Sequence, residues 1–330
     1  MNTRKIYWKY TLILFVVMLT FLTGCQNKAN QPVTYSDFYF NTVINLTFYT
    51  DEDAQYAEEC FDLCEKYENM LSRTVEGSDI YNINHSNGTA VTVSEETYTL
   101  LQEALSYCEL TQGKIDITIA PLMDAWNFTD TTYEQIPPDA KELSSLLTHV
   151  DYTTVKLGPN HTVTLQDPNA AIDLGFIAKG YIADRLKEYL TTQGVECALI
   201  NLGGNISAIG SKPDGSNYTI GIQDPASLQG TPITTVSVSD LSVVTSGTYE
   251  RCYTYEGVDY HHILDASTGY PVRNSLTSVT ILCESSTMAD ALSTTCFVLG
   301  FEDALPYIRS LNNVECILID TDNHLYYSYQ

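Results

Sequence analysis

Between residues 218 and 283 the chain offers one strand-like segment after another, broken by Gly, Pro and Asn, with no helical spacing in between. Strands that run together this way do not build a regular parallel βα wind. Helical spacing lies elsewhere. Residues 51–71 place Ala57, Phe61, Cys64 and Tyr67 on one face. Ser94 caps a second helix, with Glu95 and Glu96 in its first turn and Leu101, Leu105 and Cys108 on one side. Asp139 starts a short one, and residues 178–190, 287–299 and 301–311 read as three more. Residues 38–49 alternate as a strand, with Phe40, Thr42, Ile44, Leu46 and Phe48 on one face. Short strands follow at 154–157, 161–165 and 198–201, and two close the chain. The expected class is α+β, with mixed, largely antiparallel sheets and flanking helices.

The first 24 residues are a different material. Arg4, Lys5 and Lys9 make a basic start without any acid, and residues 11–22 form an apolar run too short to span a bilayer comfortably. The run ends in Leu22-Thr23-Gly24-Cys25, which resembles a bacterial lipobox. The expected layout is a lipoprotein signal peptide at 1–24, a tether at 25–36 after a lipidated Cys25, and one folded domain at 37–330. A plain secretion signal with a chance cysteine, or a retained anchor helix, is the alternative. A lipid on Cys25 would hold the protein on the extracytoplasmic face of a bacterial cell membrane.

Only 16 Lys+Arg stand against 41 Asp+Glu, a formal charge of −25. That balance excludes a nucleic-acid partner, whose phosphates need clustered bases. Eight cysteines follow Cys25. Cys60 and Cys64 lie one helical turn apart, and Cys197, Cys283, Cys296 and Cys316 sit in apolar runs, so they read as small buried hydrophobes.

Five stretches carry polar groups oddly placed for packing. In residues 113–126, Asp116 and Thr118 share one face of a strand-like run; they either close a structural network or bind something. In residues 172–184 a strand end turns through Gly175 into a helix, and the free N–H groups of such a start, beside Lys179, suit an anion. Asn201-Leu-Gly-Gly-Asn205 admits close backbone approach or is a tight hairpin turn. In Tyr260-His-His-Ile-Leu-Asp265, alternation puts His262 on the face of Leu264 and His261 on the other; a surface histidine beside a turn is the bland reading. In residues 288–296, Asp290 and Thr294 lie one helical turn apart, hard oxygen groups suited to Mg²⁺, or else simple helix polarity.

In order and wording, GxxDxTxxPL, IDLGxIAKGYxxD, INLGGN, TSGxY, HHIxDxxTGYP and ADALSTxxFVLG resemble the ApbE family, the FAD:protein FMN transferases. The resemblance runs from about Phe38 to the end. It implies Mg²⁺-dependent transfer of FMN from FAD, the substrate, to a Thr or Ser hydroxyl of an extracytoplasmic FMN-binding acceptor protein, with release of AMP. It implies FAD contacts at Phe40, Ser78, Asp116, Thr118, Gly175, Lys179, Tyr181 and Leu264. The metal ligands would be Asp290, Thr294 and the carbonyl of Ala178, and His262 the catalytic histidine. The chain departs from the family wording at Phe40-Asn41, Thr74, Phe176, Thr248 and Ala266. An FAD pyrophosphatase giving FMN and AMP, or a non-enzymatic flavin-binding lipoprotein, is the alternative function.

Overall fold

The computed structural model describes residues 31–129, 135–228 and 230–329. The leader, Cys25 and the first part of the tether lie outside them. Strands β1 (Val33–Tyr39) and β2 (Thr42–Phe48) form a hairpin. Residues 38–49 are therefore not one strand, and residues 33–36 belong to β1 rather than to a tether. The chain reverses at Phe40 and Asn41, whose φ angles are 55° and 56°. Two consecutive left-handed residues give the tight turn whose twist matches the strands. Asn adopts that conformation readily and Phe does not, so the turn is strained at Phe40.

Helices α1 (Ala57–Leu71), α2 (Asp79–Asn84), α3 (Glu95–Leu110), α4 (Ala120–Trp126) and α5 (Ala140–Leu147) follow, with β3 (Val91–Thr92) before α3. Strands β4 (Val155–Gly158) and β5 (Thr162–Leu165) join β3 in a small sheet. Helix α6 (Ala178–Thr192) leads into β6 (Ala198–Leu202) and β7 (Asn205–Ile209). Next come β8 (Tyr218–Gln223), β9 (Pro232–Val238), β10 (Ser242–Gly247), β11 (Cys252–Tyr255), β12 (Val258–His261) and β13 (Leu276–Cys283). Helices α7 (Ser286–Leu299) and α8 (Phe301–Ser310) and strands β14 (Glu315–Asp320) and β15 (Leu325–Tyr327) close the chain.

The main sheet has the order β1-β2-β6-β7-β10-β13-β14-β15, every neighbouring pair antiparallel. Side chains alternate across it, and the alternation assigns its two faces. Val244, Val279, Ile281, Cys316 and Leu318 point into the main core with α1, α6 and α7. Val243, Leu282, Ile317 and Ile319 point the other way, under the β8–β9 ribbon with Tyr218, Ile220 and Ile222. Helix α7 is the centre of the molecule, buried on nearly all sides. Such a helix must be apolar all round, and its few polar groups need partners.

Those partners come from α6, which crosses α7 antiparallel. Asp184 of α6 caps the start of α7. Its carboxylate accepts from Ser285 Oγ at 2.9 Å, Ser286 N at 2.7 Å, Thr287 N at 2.9 Å and Thr287 Oγ1 at 2.6 Å. Asp290 of α7 returns the exchange: its Oδ2 accepts from Gly180 N, in the first turn of α6, at 2.8 Å. Each helix thus places a carboxylate against the positive end of the other. Gly180 is required by this approach, since a Cβ there would lie 2.2 Å from the Ser286 carbonyl oxygen.

A third cluster packs α4, α5 and the β11–β12 hairpin around Trp126, Phe128, Leu143 and Leu264. Trp126 Nε1 donates to the Gly269 carbonyl at 2.7 Å, tying this cluster to the turn after His262. All eight cysteines after Cys25 are free thiols, seven of them buried and Cys252 exposed.

Gly180→Ala should cost about 1–3 kcal/mol by overpacking the helix crossing. Asp184→Ala should cost on the order of 2–3 kcal/mol by stranding four donors. Asp139→Ala, at the exposed start of α5, removes an ordinary cap worth about 1 kcal/mol. Chemical denaturation should find Asp184→Ala clearly more destabilised than Asp139→Ala, with Gly180→Ala no less destabilised than Asp139→Ala.

Candidate active site

The α6–α7 crossing is where charged groups converge. Lys179 Nζ stands 3.7 Å from Asp290 Oδ1, and Asp290 is only 3% exposed. Burial raises the Asp290 pKa, while Lys179 and the Gly180 N–H oppose the rise. One turn along α7, Thr294 Oγ1 lies 3.0 Å from Ser246 Oγ at the end of β10. Ser246 also meets Ser293 at 2.8 Å.

The loop after β10 adds two groups that the sequence reading passed over, Glu250 and Arg251. Burial lifts the Glu250 carboxyl to about 7; Lys179 pulls it down, Asp290 pushes it up and Arg251 pulls it down. The residue is exposed at the surface, so solvent screening reduces that lift while its direction stands. The signal was present in the sequence: an acid and a base directly after a TSGxY stretch that ends a strand.

His262 follows β12. Its backbone N–H donates to the Arg251 carbonyl at 3.0 Å, so it extends the β11–β12 ladder by one step. Its Nδ1 is buried and has no hydrogen-bond partner among the described residues. Burial, then Arg251 and Lys179, push its pKa down to about 3, so the ring is neutral at pH 7 and its lone pair is available. His261 points to the opposite side and is spoken for. Its Nε2 donates to the Val272 carbonyl at 3.0 Å, its Nδ1 accepts from Ile263 N at 3.3 Å, and it packs edge-on against Phe297. Leu264 is buried in the Trp126 cluster.

Residues 113–119 are not a strand. Ile115, Asp116, Ile117 and Thr118 are all buried, so no face alternates. Asp116 closes a turn network: Oδ1 accepts from Thr118 N at 2.8 Å and Thr118 Oγ1 at 2.6 Å, and Oδ2 from Tyr152 N at 2.8 Å. Thr118 Oγ1 in turn accepts from Asp151 N at 2.8 Å. This segment touches the Gly175 turn, because Asp173 N donates to the Ile117 carbonyl at 2.8 Å.

The anion cradle expected at the start of α6 is largely filled by the protein itself. Gly175 N donates to Asp173 Oδ1 at 2.7 Å, Ala178 N to the Leu174 carbonyl at 2.9 Å, and Gly180 N to Asp290. Arg73 Nε pairs with Asp173 Oδ2 at 2.8 Å and holds that turn from outside. Asn201-Leu-Gly-Gly-Asn205 is the tight β6–β7 hairpin, with φ angles of 60° and 96° at Gly203 and Gly204.

Phe40, Ser78 and Tyr181 all attach to α1 or its end. Phe40 N donates to Glu68 Oε1 at 2.8 Å. Ser78 caps α2, accepting from Tyr81 N at 2.9 Å and donating to the Ser72 carbonyl. Tyr181 sits edge-on to Tyr67 at 5.7 Å, and burial pushes its hydroxyl up to about 12. The structure therefore gathers Lys179, Asp290, Thr294 and His262, with Ala178 beside Lys179 at the start of α6. It holds Asp116 and Thr118 in a neighbouring network.

An eight-stranded antiparallel sheet packs on a buried helix, and a lysine and a buried carboxylate meet where that helix is crossed, with a neutral histidine within electrostatic reach of the lysine. The ApbE family model matches residues 40–318. A relative from Treponema pallidum named FAD:protein FMN transferase is 33% identical over 98% of this chain and 94% of its own. The crystal structure of the ApbE protein from Thermotoga maritima is 32% identical with a TM-score of 0.82, covering 90% of this chain and 96% of its own. The flavin transferase ApbE from Vibrio cholerae is 27% identical with a TM-score of 0.79, over the same shares of each chain. The chain belongs to the ApbE family.

The raised Glu250 pKa has a consequence for stability. A carboxyl that holds its proton more tightly when folded stabilises the fold below its unfolded value, about 4.5, and loses that contribution as pH rises through about 7. Glu250→Gln never ionises. Its melting temperature should match that of the unaltered protein below pH 4.5 and exceed it increasingly up to about pH 7, then stay ahead by a constant margin. A margin of equal size at pH 4 and pH 8 contradicts the assignment.

Proposed function

We propose that this chain is an FAD:protein FMN transferase, moving FMN from FAD onto a Thr or Ser hydroxyl of an extracytoplasmic flavoprotein and releasing AMP. The observation that carries the reading is His262: a half-buried, neutral imidazole whose Nδ1 is buried without a partner among the described residues, within electrostatic reach of Lys179. Transfer forms a bond between the acceptor oxygen and the phosphorus of the FMN half. The bond from that phosphorus to the bridging oxygen breaks, and AMP leaves with that oxygen. The hydroxyl proton needs a base, and a histidine that is neutral at the working pH is one. Lys179 would offset the charge of the pyrophosphate in an otherwise acidic protein.

The donors at the helix crossing fit a hard divalent cation. Among the described residues Asp290 Oδ1 makes no hydrogen bond of ordinary length, Lys179 Nζ standing 3.7 Å away, and Thr294 offers a hydroxyl one turn along the helix. With the Ala178 carbonyl these are oxygen ligands of the kind Mg²⁺ takes, leaving places for water and phosphate oxygens. When bound, the ion would supply positive charge against the pyrophosphate. The leader and Cys25 favour a lipid-anchored enzyme on the outer face of the cell membrane. Among the described residues no helix is long and apolar enough to cross a membrane.

The test is incubation with FAD and Mg²⁺, with and without an FMN-binding acceptor domain. The proposal expects AMP together with an acceptor mass increase of one FMN. AMP and free FMN with an unlabelled acceptor would make the chain a pyrophosphatase, and tight FAD with no product a carrier. Asp290→Asn should lower turnover by at least about 100-fold. Thr294→Val should raise the Mg²⁺ concentration needed for half-maximal rate, with excess Mg²⁺ restoring part of it.

A further inference from the structure

We propose that Arg251 is a phosphate-binding residue of this site, its guanidinium gripping oxygens of the FAD pyrophosphate across from His262. The inference rests on the flavin-transfer reading and extends it to a residue that no motif comparison above assigned.

The first support is register. In the β11–β12 hairpin Cys252 faces His261 and Tyr253 faces Tyr260. The bond from His262 N to the Arg251 carbonyl carries the ladder one step further, so Arg251 and His262 are directly opposed. Opposed residues of an antiparallel pair send their side chains to the same face. That face also bears Tyr253 and Tyr260, which pack on Phe128 and Trp126. The aromatic packing stiffens the hairpin beneath the two polar residues.

The second support is an unmet need for an anion. Arg251 is half-buried, yet it forms no salt bridge and donates no side-chain hydrogen bond to any described residue. The other described arginines are engaged. Arg73 pairs with Asp124 and Asp173, Arg185 with Glu188, Arg273 donates to the Asp259 carbonyl, and Arg309 to the Ser328 carbonyl. In a chain of net charge −25, leaving a guanidinium unpaired beside a carboxyl is unusual. Glu250, its neighbour, forms no ion pair with it among the described residues. Lys179 is the second cation within electrostatic reach of His262. Two cations flanking a neutral histidine suit a diphosphate, and the planar fork of arginine matches two phosphate oxygens at once.

The experiment compares FAD with riboflavin, which carries the same ring and no phosphate. Affinities are measured by calorimetry in Mg²⁺ buffer for the unaltered chain, Arg251→Gln and Arg251→Lys. Near-UV circular dichroism and melting temperature check the fold. Arg251→Gln should weaken FAD at least about tenfold and leave riboflavin within about twofold. Arg251→Lys keeps the charge without the fork and should weaken FAD at least about threefold, again sparing riboflavin. If the Gln variant does not fold, the Lys variant decides. FAD affinity within twofold of the unaltered chain overturns the proposal, and so does an equal loss for FAD and riboflavin. If the unaltered chain binds FAD but transfers no FMN, the function reading fails, while the FAD-to-riboflavin ratio still decides Arg251.

Discussion

The exchange of carboxylates between α6 and α7 is the constraint on which the rest of the molecule depends. Two helices crossing this closely would ordinarily leave the donors at each N-terminus unpaired in the core. Asp184 fills four donor positions at the start of α7, and Asp290 takes the Gly180 amide at the start of α6. Only glycine at 180 permits the approach. The exchange serves packing and chemistry together. Asp290 is held as a buried acceptor on one oxygen, while its other oxygen faces Lys179. The sheet completes the arrangement by delivering Ser246 to Thr294 and, one loop later, Glu250 and Arg251 to the same place.

The electrostatics follow from scarcity of bases. Twenty-five excess negative charges would repel a diphosphate substrate, so the few cations near the site matter more than their number suggests. Lys179 and Arg251 both lower the His262 pKa and both pull down that of Glu250. A Glu250 carboxyl lifted by desolvation adds less negative charge beside these cations below about pH 7. The two adjacent histidines are separated by strand alternation alone: His261 is locked by Val272 and Ile263, and the Nδ1 of His262 has no partner among the described residues.

Much of this was legible in the sequence, and the exceptions have physical reasons. The α+β class, α1, α3, α6 and α7, the caps at Ser94 and Asp139, and the buried cysteines follow from periodicity and capping chemistry. The different surroundings of His261 and His262 follow from a period of two. The Phe40–Asn41 reversal escaped because alternation continues through it and only the backbone sign changes. Asp116 was read on a strand because isoleucines flank it at every second position, yet both sides of that segment are buried. Apolar–polar alternation identifies a strand only where one side is solvated. Asp184 and Gly180 lay within a recognised motif, but their role arises from a helix crossing about a hundred residues away in sequence. Arg251 needed the hairpin register before it could be placed opposite His262.

The central claim is that α6 and α7 are locked by their exchanged carboxylates, and native-state hydrogen exchange at the Gly180 amide tests it most directly. This amide donates to Asp290 and does not touch Asp184. The account predicts that it exchanges only with global unfolding in the unaltered chain. In Asp184→Asn, with the partner cap weakened, it should exchange through a local opening well below the global unfolding free energy. A Gly180 amide that exchanges rapidly in the unaltered chain, or whose protection relative to global unfolding does not change in Asp184→Asn, would contradict the account.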